Sequence, residues 1–128
     1  MLLMSVILAG AISGSFGPAP GHEPFDGNML YESCTATSRD KYYKEHAAAC
    51  KAFVMGVTDT IAVLQSGEDG GPTICVPANA TQEQLTDVVR NYMTNHAESR
   101  HLPAAGLSVV AIGQAFPCAN SSSDDSGS

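Results

Sequence analysis

The chain has 128 residues, a formal net charge of −7 and 44% hydrophobic residues, so it is long enough for one domain with a compact core and is not a wholly disordered chain. The excess of 13 acidic over 6 basic residues repels phosphate groups, which argues against a nucleic-acid-binding protein. The chain also lacks the polybasic segment that holds proteins on anionic lipids.

The N-terminal segment is apolar or small and carries no charged side chain before Glu23. Its apolar run, residues 1–16, is shorter than the about 20 residues of a membrane-spanning helix and ends at Gly17 and Pro18. Such a run is typical of a secretory signal, although no basic residue precedes it. We expect residues 1–20 to be a signal peptide that is cleaved on export. The alternatives are a retained N-terminal anchor and a buried helix of the fold.

The C-terminal residues 119–128 are polar, acidic and rich in serine, so they are predicted to form a disordered tail. The predicted folded unit is therefore residues 25–118. It contains 10 acidic and 6 basic residues, a net charge of −4. No internal repeat is present.

Helical periodicity marks two segments in the first half of this unit. Asp26 is a good N-cap, and a short helix is expected over residues 29–34. A longer helix is predicted over residues 41–65, because apolar residues recur there at spacings of three and four. Its apolar stripe consists of Cys50, Phe53 or Val54, Val57, Ile61 and Leu64. Gly56 costs about 1 kcal/mol relative to alanine inside a helix, which suggests that another backbone passes close to it.

Glycines and a proline then interrupt the helical pattern. Residues 66–72, here called the acidic loop, contain three glycines and carry Glu68 and Asp69. This composition predicts a mobile connection. Residues 73–77 are expected to be extended, because Pro77 disfavours helical backbone at the residue before it.

Two further helices are predicted in the second half. Thr81 and Gln84 match a capping box, which begins a third helix that ends near His96. Its apolar stripe consists of Leu85, Val88, Val89, Tyr92 and Met93. A fourth helix begins at Pro103 and ends at Pro117. Two adjacent apolar sides are expected on it, one formed by Leu107, Val110 and Ala111 and the other by Val109, Ile112 and Phe116. No segment alternates with period two, so the fold class is all-α, a small disulfide-stapled bundle of about four helices.

The four cysteines allow three kinds of role. They contain no Cys-x-x-Cys pair of the kind that structural zinc sites use, and no local catalytic sequence surrounds any of them. Two disulfides are therefore the favoured interpretation, over zinc binding and over a nucleophilic cysteine.

The predicted bundle selects one of the three possible pairings. Cys34 ends the first helix and Cys50 lies early in the second, so a helical hairpin brings them together. Cys75 precedes the third helix and Cys118 follows the fourth, so these two meet if the helices are antiparallel. We predict the disulfides Cys34–Cys50 and Cys75–Cys118.

No set of residues composes an active site. An enzyme would require two of His46, Asp59, His96 and His101 to converge in a pocket. Asp59 is more typical of a capping or solvent-facing residue. The cluster of His96, Glu98, Arg100 and His101 is more typical of a helix end than of a metal site. We therefore predict no enzyme, no catalytic residue, no metal and no cofactor.

Several segments, in this order, carry a family resemblance: residues 27–34 (GNMLYESC), 50–59 (CKAFVMGVTD), 74–77 (ICVP), 81–85 (TQEQL) with 88–93 (VVRNYM), and 101–105 (HLPAA) through 115–118 (AFPC). The chain resembles the Rap/Tai-like family, immunity proteins of bacterial type VI secretion. The resemblance covers residues 26–118. Within it, the positions that look like scaffold are Gly56, Val57, Asp59 and the four cysteines.

The resemblance implies a small periplasmic helical protein, often a homodimer, that binds and blocks a peptidoglycan-cleaving amidase delivered by neighbouring cells. It implies no nucleic-acid partner and no stable membrane insertion after the signal is removed. An amidase cleft is concave, so the acidic loop is the candidate plug, with Glu68 and Asp69 as partner-binding residues. The alternatives are a solvated connection in this loop and, for the whole protein, a periplasmic holdase or acid-stress binding protein.

Overall fold

The computed structural model describes residues 23–67 and 69–119. These contain four α-helices, α1 (Gly27–Thr35), α2 (Tyr43–Gln65), α3 (Gln82–Asn95) and α4 (Ala104–Ala115), with one 3₁₀ turn at Ala97–Ser99. The described part of the chain has two isolated β-bridges and no strand. The prediction of an all-α bundle is therefore confirmed. The expected signal over residues 1–20, all but residue 119 of the expected tail, and Glu68 lie outside the described residues.

The start of α1 is fixed by its N-cap and by close packing. Asp26 accepts a hydrogen bond from the backbone N–H of Met29 at 3.0 Å, as its capping role predicts. The N–H of Gly27 donates to the carbonyl of Leu102 at 2.9 Å. A Cβ on Gly27 would lie 2.5 Å from Cδ1 of Leu107 and 2.8 Å from the carbonyl oxygen of Arg100. Only glycine therefore allows α1 to begin this close to the segment before α4.

Side chains cap both ends of α3. Thr81 accepts from the N–H of Gln84 at 3.1 Å, and the Gln84 side chain accepts from the N–H of Thr81 at 2.8 Å, so the predicted capping box is confirmed. At the other end, Nε of Arg100 donates to the carbonyl of Met93 at 2.8 Å. The Arg100 guanidinium also lies 3.5 Å from the centre of the Tyr31 ring, which ties this end of α3 to α1.

One face of each helix contributes to a single core. Its buried hydrophobic residues on the helices are Leu30, Cys34, Cys50, Val54, Ile61, Leu85, Val89, Met93, Ala104, Leu107, Ala111 and Ile112. Ser108 is buried among them and donates to the carbonyl of Ala104 at 2.8 Å, so its hydroxyl is satisfied inside its own helix.

Three predicted core positions are wrong. Leu64 is 68% exposed, and Val109 and Val110 are exposed as well. The buried face of α2 follows Cys50, Val54 and Ile61, and Leu64 lies at its edge, where it lines an open groove together with Ala105 and Val109 of α4. On α4 the buried face instead follows residues 104, 107, 108, 111 and 112, which leaves Val109 and Val110 outside it.

Two disulfides close the bundle, Cys34–Cys50 and Cys75–Cys118, and these are the pairs that the helix order predicts. The first joins α1 to α2. The second joins the extended segment before α3 to the end of the chain after α4. The N–H of Cys75 also donates to the carbonyl of Phe116 at 2.8 Å. The segment that precedes α3 and the segment that follows α4 are thus held side by side.

Candidate functional site

The acidic loop has a base that is closed by one side chain. The Gln65 amide oxygen accepts from the N–H groups of Thr73 at 3.0 Å and Ile74 at 2.9 Å, and its NH₂ donates to the carbonyl of Ile74 at 3.0 Å. Gly71 has φ = 76°, a left-handed conformation that favours glycine. The two ends of the loop are therefore pinned together where α2 ends.

Of the two predicted partner-binding residues, the structure places Asp69 at an exposed position, and Glu68 lies outside the described residues. Gln65 was not singled out from the sequence. The only indication there is that a polar amide side chain ends an otherwise apolar helix. A loop whose two ends are fixed loses less conformational entropy on binding than a free one.

An apolar groove runs between α2 and α4 with a volume of about 430 Å³. No charged residue lines it. Its lining residues are Ala52, Phe53, Gly56, Val57, Thr60, Ile61, Leu64, Ala105 and Val109. The Phe53 ring lies 5.1 Å from that of Phe25, centre to centre, so the described N-terminal end of the chain packs beside this groove. A groove with this lining is suited to apolar groups, and it has no titratable side chain for acid–base chemistry.

The rim of this groove is exposed and apolar. We call the α2–α4 face the surface formed by Ala52, Gly56, Val63, Leu64, Ala105 and Val109, all of which are exposed. Val63 is 71% exposed and Leu64 is 68% exposed. Among the described residues, α2 alone is long and apolar enough to cross a membrane by length and composition. It nevertheless buries Cys50, Val54 and Ile61 in the bundle.

Basic and aromatic side chains cluster at the corner between α1 and α2. Three of the six basic residues of the chain, Arg39, Lys41 and Lys44, are exposed there beside Tyr42 and Tyr43, which are also exposed. The Cys34–Cys50 disulfide closes this segment and limits its freedom. Arginine and tyrosine are enriched where proteins bind one another, so the corner is a second candidate contact surface, and the sequence analysis missed it.

The candidate acid–base residues have structural or solvent-facing roles. His96 makes a 2.7 Å hydrogen bond between Nδ1 and the carbonyl of Tyr92, and its ring stacks on that of Tyr92. His46 lies 3.6 Å from Asp40, and Asp59 and His101 are exposed. None of His46, Asp59, His96 and His101 lines the α2–α4 groove. Within residues 23–67 and 69–119, no group of three or more metal-ligating side chains is present.

One ion pair joins α2 to α3. Lys51 donates from Nζ to Oε1 of Glu83 at 2.7 Å. This hydrogen bond, supported by a backbone hydrogen bond and by the positive charge of Lys51, lowers the pKa of the Glu83 carboxyl below its ordinary value. The Lys51 and Glu83 side chains are 42% and 68% exposed, so the pair contributes little to stability.

Comparison with known families gives one match. A family model described as Rap1a immunity proteins matches residues 26–118, which is most of the chain and includes all four cysteines. Comparisons with curated proteins and with solved structures found no match.

Proposed function

Because this chain belongs to the Rap1a immunity proteins, we propose that it protects the cell by binding and inhibiting a peptidoglycan amidase effector of type VI secretion. It acts by occlusion in the periplasm and catalyses no reaction. The observation that carries this proposal is the family match over residues 26–118. The two disulfides support the location, since disulfides persist in oxidising compartments such as the bacterial periplasm.

The proposal includes how the chain is processed and assembled. Residues 1–20 act as a signal peptide that is removed on export, residues 25–118 form the immunity domain, and residues 119–128 are a solvated tail. The mature protein is a homodimer that does not insert stably into the membrane.

The acidic loop is the proposed inhibitory element. Its two ends are fixed by Gln65, and the residues between them enter the concave cleft of the effector. Glu68 and Asp69 supply negative charge, which steers the loop towards a basic or histidine-containing cleft.

The test is inhibition of the cognate amidase, the cell-wall hydrolase that the host strain secretes. Glu68→Ala with Asp69→Ala should weaken inhibition at least about tenfold, which corresponds to about 1.4 kcal/mol of binding free energy. The matched control is Glu45→Ala with Glu98→Ala, which removes two exposed acidic groups elsewhere. Unchanged inhibition by the loop variant would exclude the loop as the plug. If no cell-wall hydrolase forms a stoichiometric complex with the wild-type protein, the proposed function is wrong.

The exposed apolar α2–α4 face favours one alternative, a periplasmic holdase or acid-stress binding protein. A holdase suppresses the aggregation of unrelated proteins at about pH 3, where carboxylates are protonated. A specific stoichiometric complex at neutral pH distinguishes the immunity protein from this alternative.

A further inference from the structure

The dipeptide Asp-Gly occurs twice in the sequence, at Asp26–Gly27 and at Asp69–Gly70. In this dipeptide the backbone nitrogen of the glycine can reach the side-chain carboxyl carbon of the aspartate, because the glycine has no Cβ to obstruct the approach. The attack requires a free carboxyl group and a backbone that can rotate. The fold therefore decides whether each of the two sites reacts.

The fold immobilises the first site. The Asp26 carboxylate accepts from the N–H of Met29 at 3.0 Å, and the N–H of Gly27 donates to the carbonyl of Leu102 at 2.9 Å. Gly27 is buried, and the carbonyl oxygen of Arg100 lies 2.8 Å from the position of its Cβ. The nitrogen of Gly27 therefore cannot turn towards the carboxyl group unless the start of α1 comes apart.

The second site has none of these restraints. Asp69 and Gly70 are both exposed, and neither makes a hydrogen bond or an ion pair within residues 23–67 and 69–119. A Cβ on Gly70 would meet no atom within 4 Å. The next residue, Gly71, has the left-handed φ of 76°. The hydrogen bonds that Gln65 makes hold the backbone only from Thr73 onwards, so the backbone at Asp69 is free to rotate.

We propose that Asp69–Gly70 is a self-modifying site, at which Asp69 converts to isoaspartate and the acidic loop is thereby disabled. The backbone nitrogen of Gly70 attacks Cγ of Asp69. A bond forms between these two atoms, and the bond from Cγ to one carboxylate oxygen breaks. That oxygen leaves as water, with the amide proton of Gly70 and one proton from the solvent. The product is a cyclic succinimide.

Water then opens the succinimide at one of its two carbonyl carbons. Attack at Cγ restores aspartate. Attack at the backbone carbonyl carbon of Asp69 breaks the bond from this carbon to the nitrogen of Gly70, and the chain then runs through Cβ and Cγ. One water is lost and one is regained, so the conversion needs no enzyme, cofactor or oxidant. The isoaspartate has the same mass, one additional backbone carbon, and its carboxylate directly on Cα.

These changes fall on the proposed inhibitory element. Because Gln65 fixes the two ends of the acidic loop, the additional backbone carbon must be accommodated between them. The carboxylate of residue 69 also lies one methylene group closer to the backbone. We expect inhibition of the effector to weaken at least about tenfold in the converted protein. This consequence rests on the proposed function, whereas the conversion itself does not.

The test is to age the oxidised full chain at neutral pH and physiological temperature. Peptide mapping with electron-transfer fragmentation distinguishes isoaspartate from aspartate at each position. Isoaspartate should accumulate at Asp69 at least about tenfold faster than at Asp26 in the same sample, because Asp26 reacts only when α1 opens. In the reduced chain in urea the two sites should convert at similar rates, since the fold no longer protects Asp26.

Two alanine variants make the test specific. Gly70→Ala retains the Asp69 carboxylate and fits without a contact, and it should slow the conversion at least about threefold, because the added Cβ hinders the approach of the nitrogen. Gly67→Ala is the matched control, since this position lies in the same loop, is equally open and does not follow an aspartate. It should leave the rate unchanged. Circular dichroism and thiol counting check that both variants are folded with their disulfides formed.

Equal rates at Asp26 and Asp69 in the folded protein would overturn the proposal, as would a Gly70→Ala variant that converts as fast as the Gly67→Ala variant. The inhibitory capacity of aged samples should fall in proportion to the isoaspartate fraction at Asp69. If Asp69 converts and inhibition of the cell-wall hydrolase is undiminished, the disabling effect is refuted and the acidic loop is not the inhibitory element. If no hydrolase is bound even before ageing, the proposed function fails, and the rates at Asp26 and Asp69 still decide whether the site modifies itself.

Discussion

Single polar side chains decide where several segments of this chain begin and end. Asp26 and Thr81 satisfy backbone N–H groups that have no partner within the first turn of a helix. Gln65 makes three hydrogen bonds with backbone groups across the acidic loop. Each of these side chains takes the place of water as the hydrogen-bond partner of backbone groups. These hydrogen bonds fix where the next segment of the chain lies.

The Lys51–Glu83 pair gives a prediction at this scale. Because the pKa of Glu83 is lowered in the folded protein, the stability from the pair is present above the ordinary carboxyl pKa. It is lost as the pH falls through the lowered pKa. Lys51→Met keeps most of the side-chain length and removes the charge, so it should raise the Glu83 pKa towards its ordinary value.

The measurement is an NMR titration of the Glu83 side-chain carboxyl. Lys44→Met is the control, because Lys44 is exposed on the same helix and forms none of the ion pairs described. A titration midpoint of Glu83 that Lys51→Met does not move would contradict the role of this ion pair.

At the scale of the elements, the space around two helical glycines shows how closely each helix approaches its neighbours. The start of α1 lies so close to the segment before α4 that a methyl group does not fit at Gly27. Gly106 in α4 is also helical, yet a Cβ there meets nothing within 4 Å. The same residue type is therefore required at one helix and optional at the other.

These two glycines form a matched pair of substitutions. Gly27→Ala should lower the free energy of unfolding by about 1–3 kcal/mol, because the added methyl group meets a backbone oxygen that cannot move cheaply. Gly106→Ala should leave it unchanged or raise it by up to about 1 kcal/mol, since alanine is the better helix former. Urea unfolding of both variants measures the difference. Equal effects at the two sites would show that the close approach of α1 is absent in solution.

At the scale of the whole molecule, the disulfides connect elements that are distant along the chain. Cys34–Cys50 spans 16 residues and Cys75–Cys118 spans 43. The longer connection fixes both ends of the α3–α4 pair, so it restricts the unfolded chain more than the shorter one. A domain of this size has a small core, and its stability depends on such cross-links.

Removing each disulfide separately tests this difference. In the chain-entropy model, replacing Cys34 and Cys50 by alanine costs about 3 kcal/mol, and replacing Cys75 and Cys118 costs about 4 kcal/mol. Urea unfolding of the oxidised variants gives both values. A smaller loss for the longer connection would indicate that native packing, and not the loop length, sets the contribution of these bonds.

The sequence by itself determined the helices, the N-caps of α1 and α3 and the favoured cysteine pairing, because these depend on side-chain spacing and on hydrogen bonds between residues a few positions apart. It also placed the acidic loop, but not the Gln65 contacts that close it. Only the tertiary structure decided that Leu64, Val109 and Val110 are exposed and that a Cβ at Gly56 would meet no atom of the described residues within 4 Å. Burial depends on which helix lies opposite and how far it extends, and that is a relation between segments distant in sequence. The α2–α4 face was hidden from sequence reasoning for the same reason, since its residues have the apolar pattern of a core.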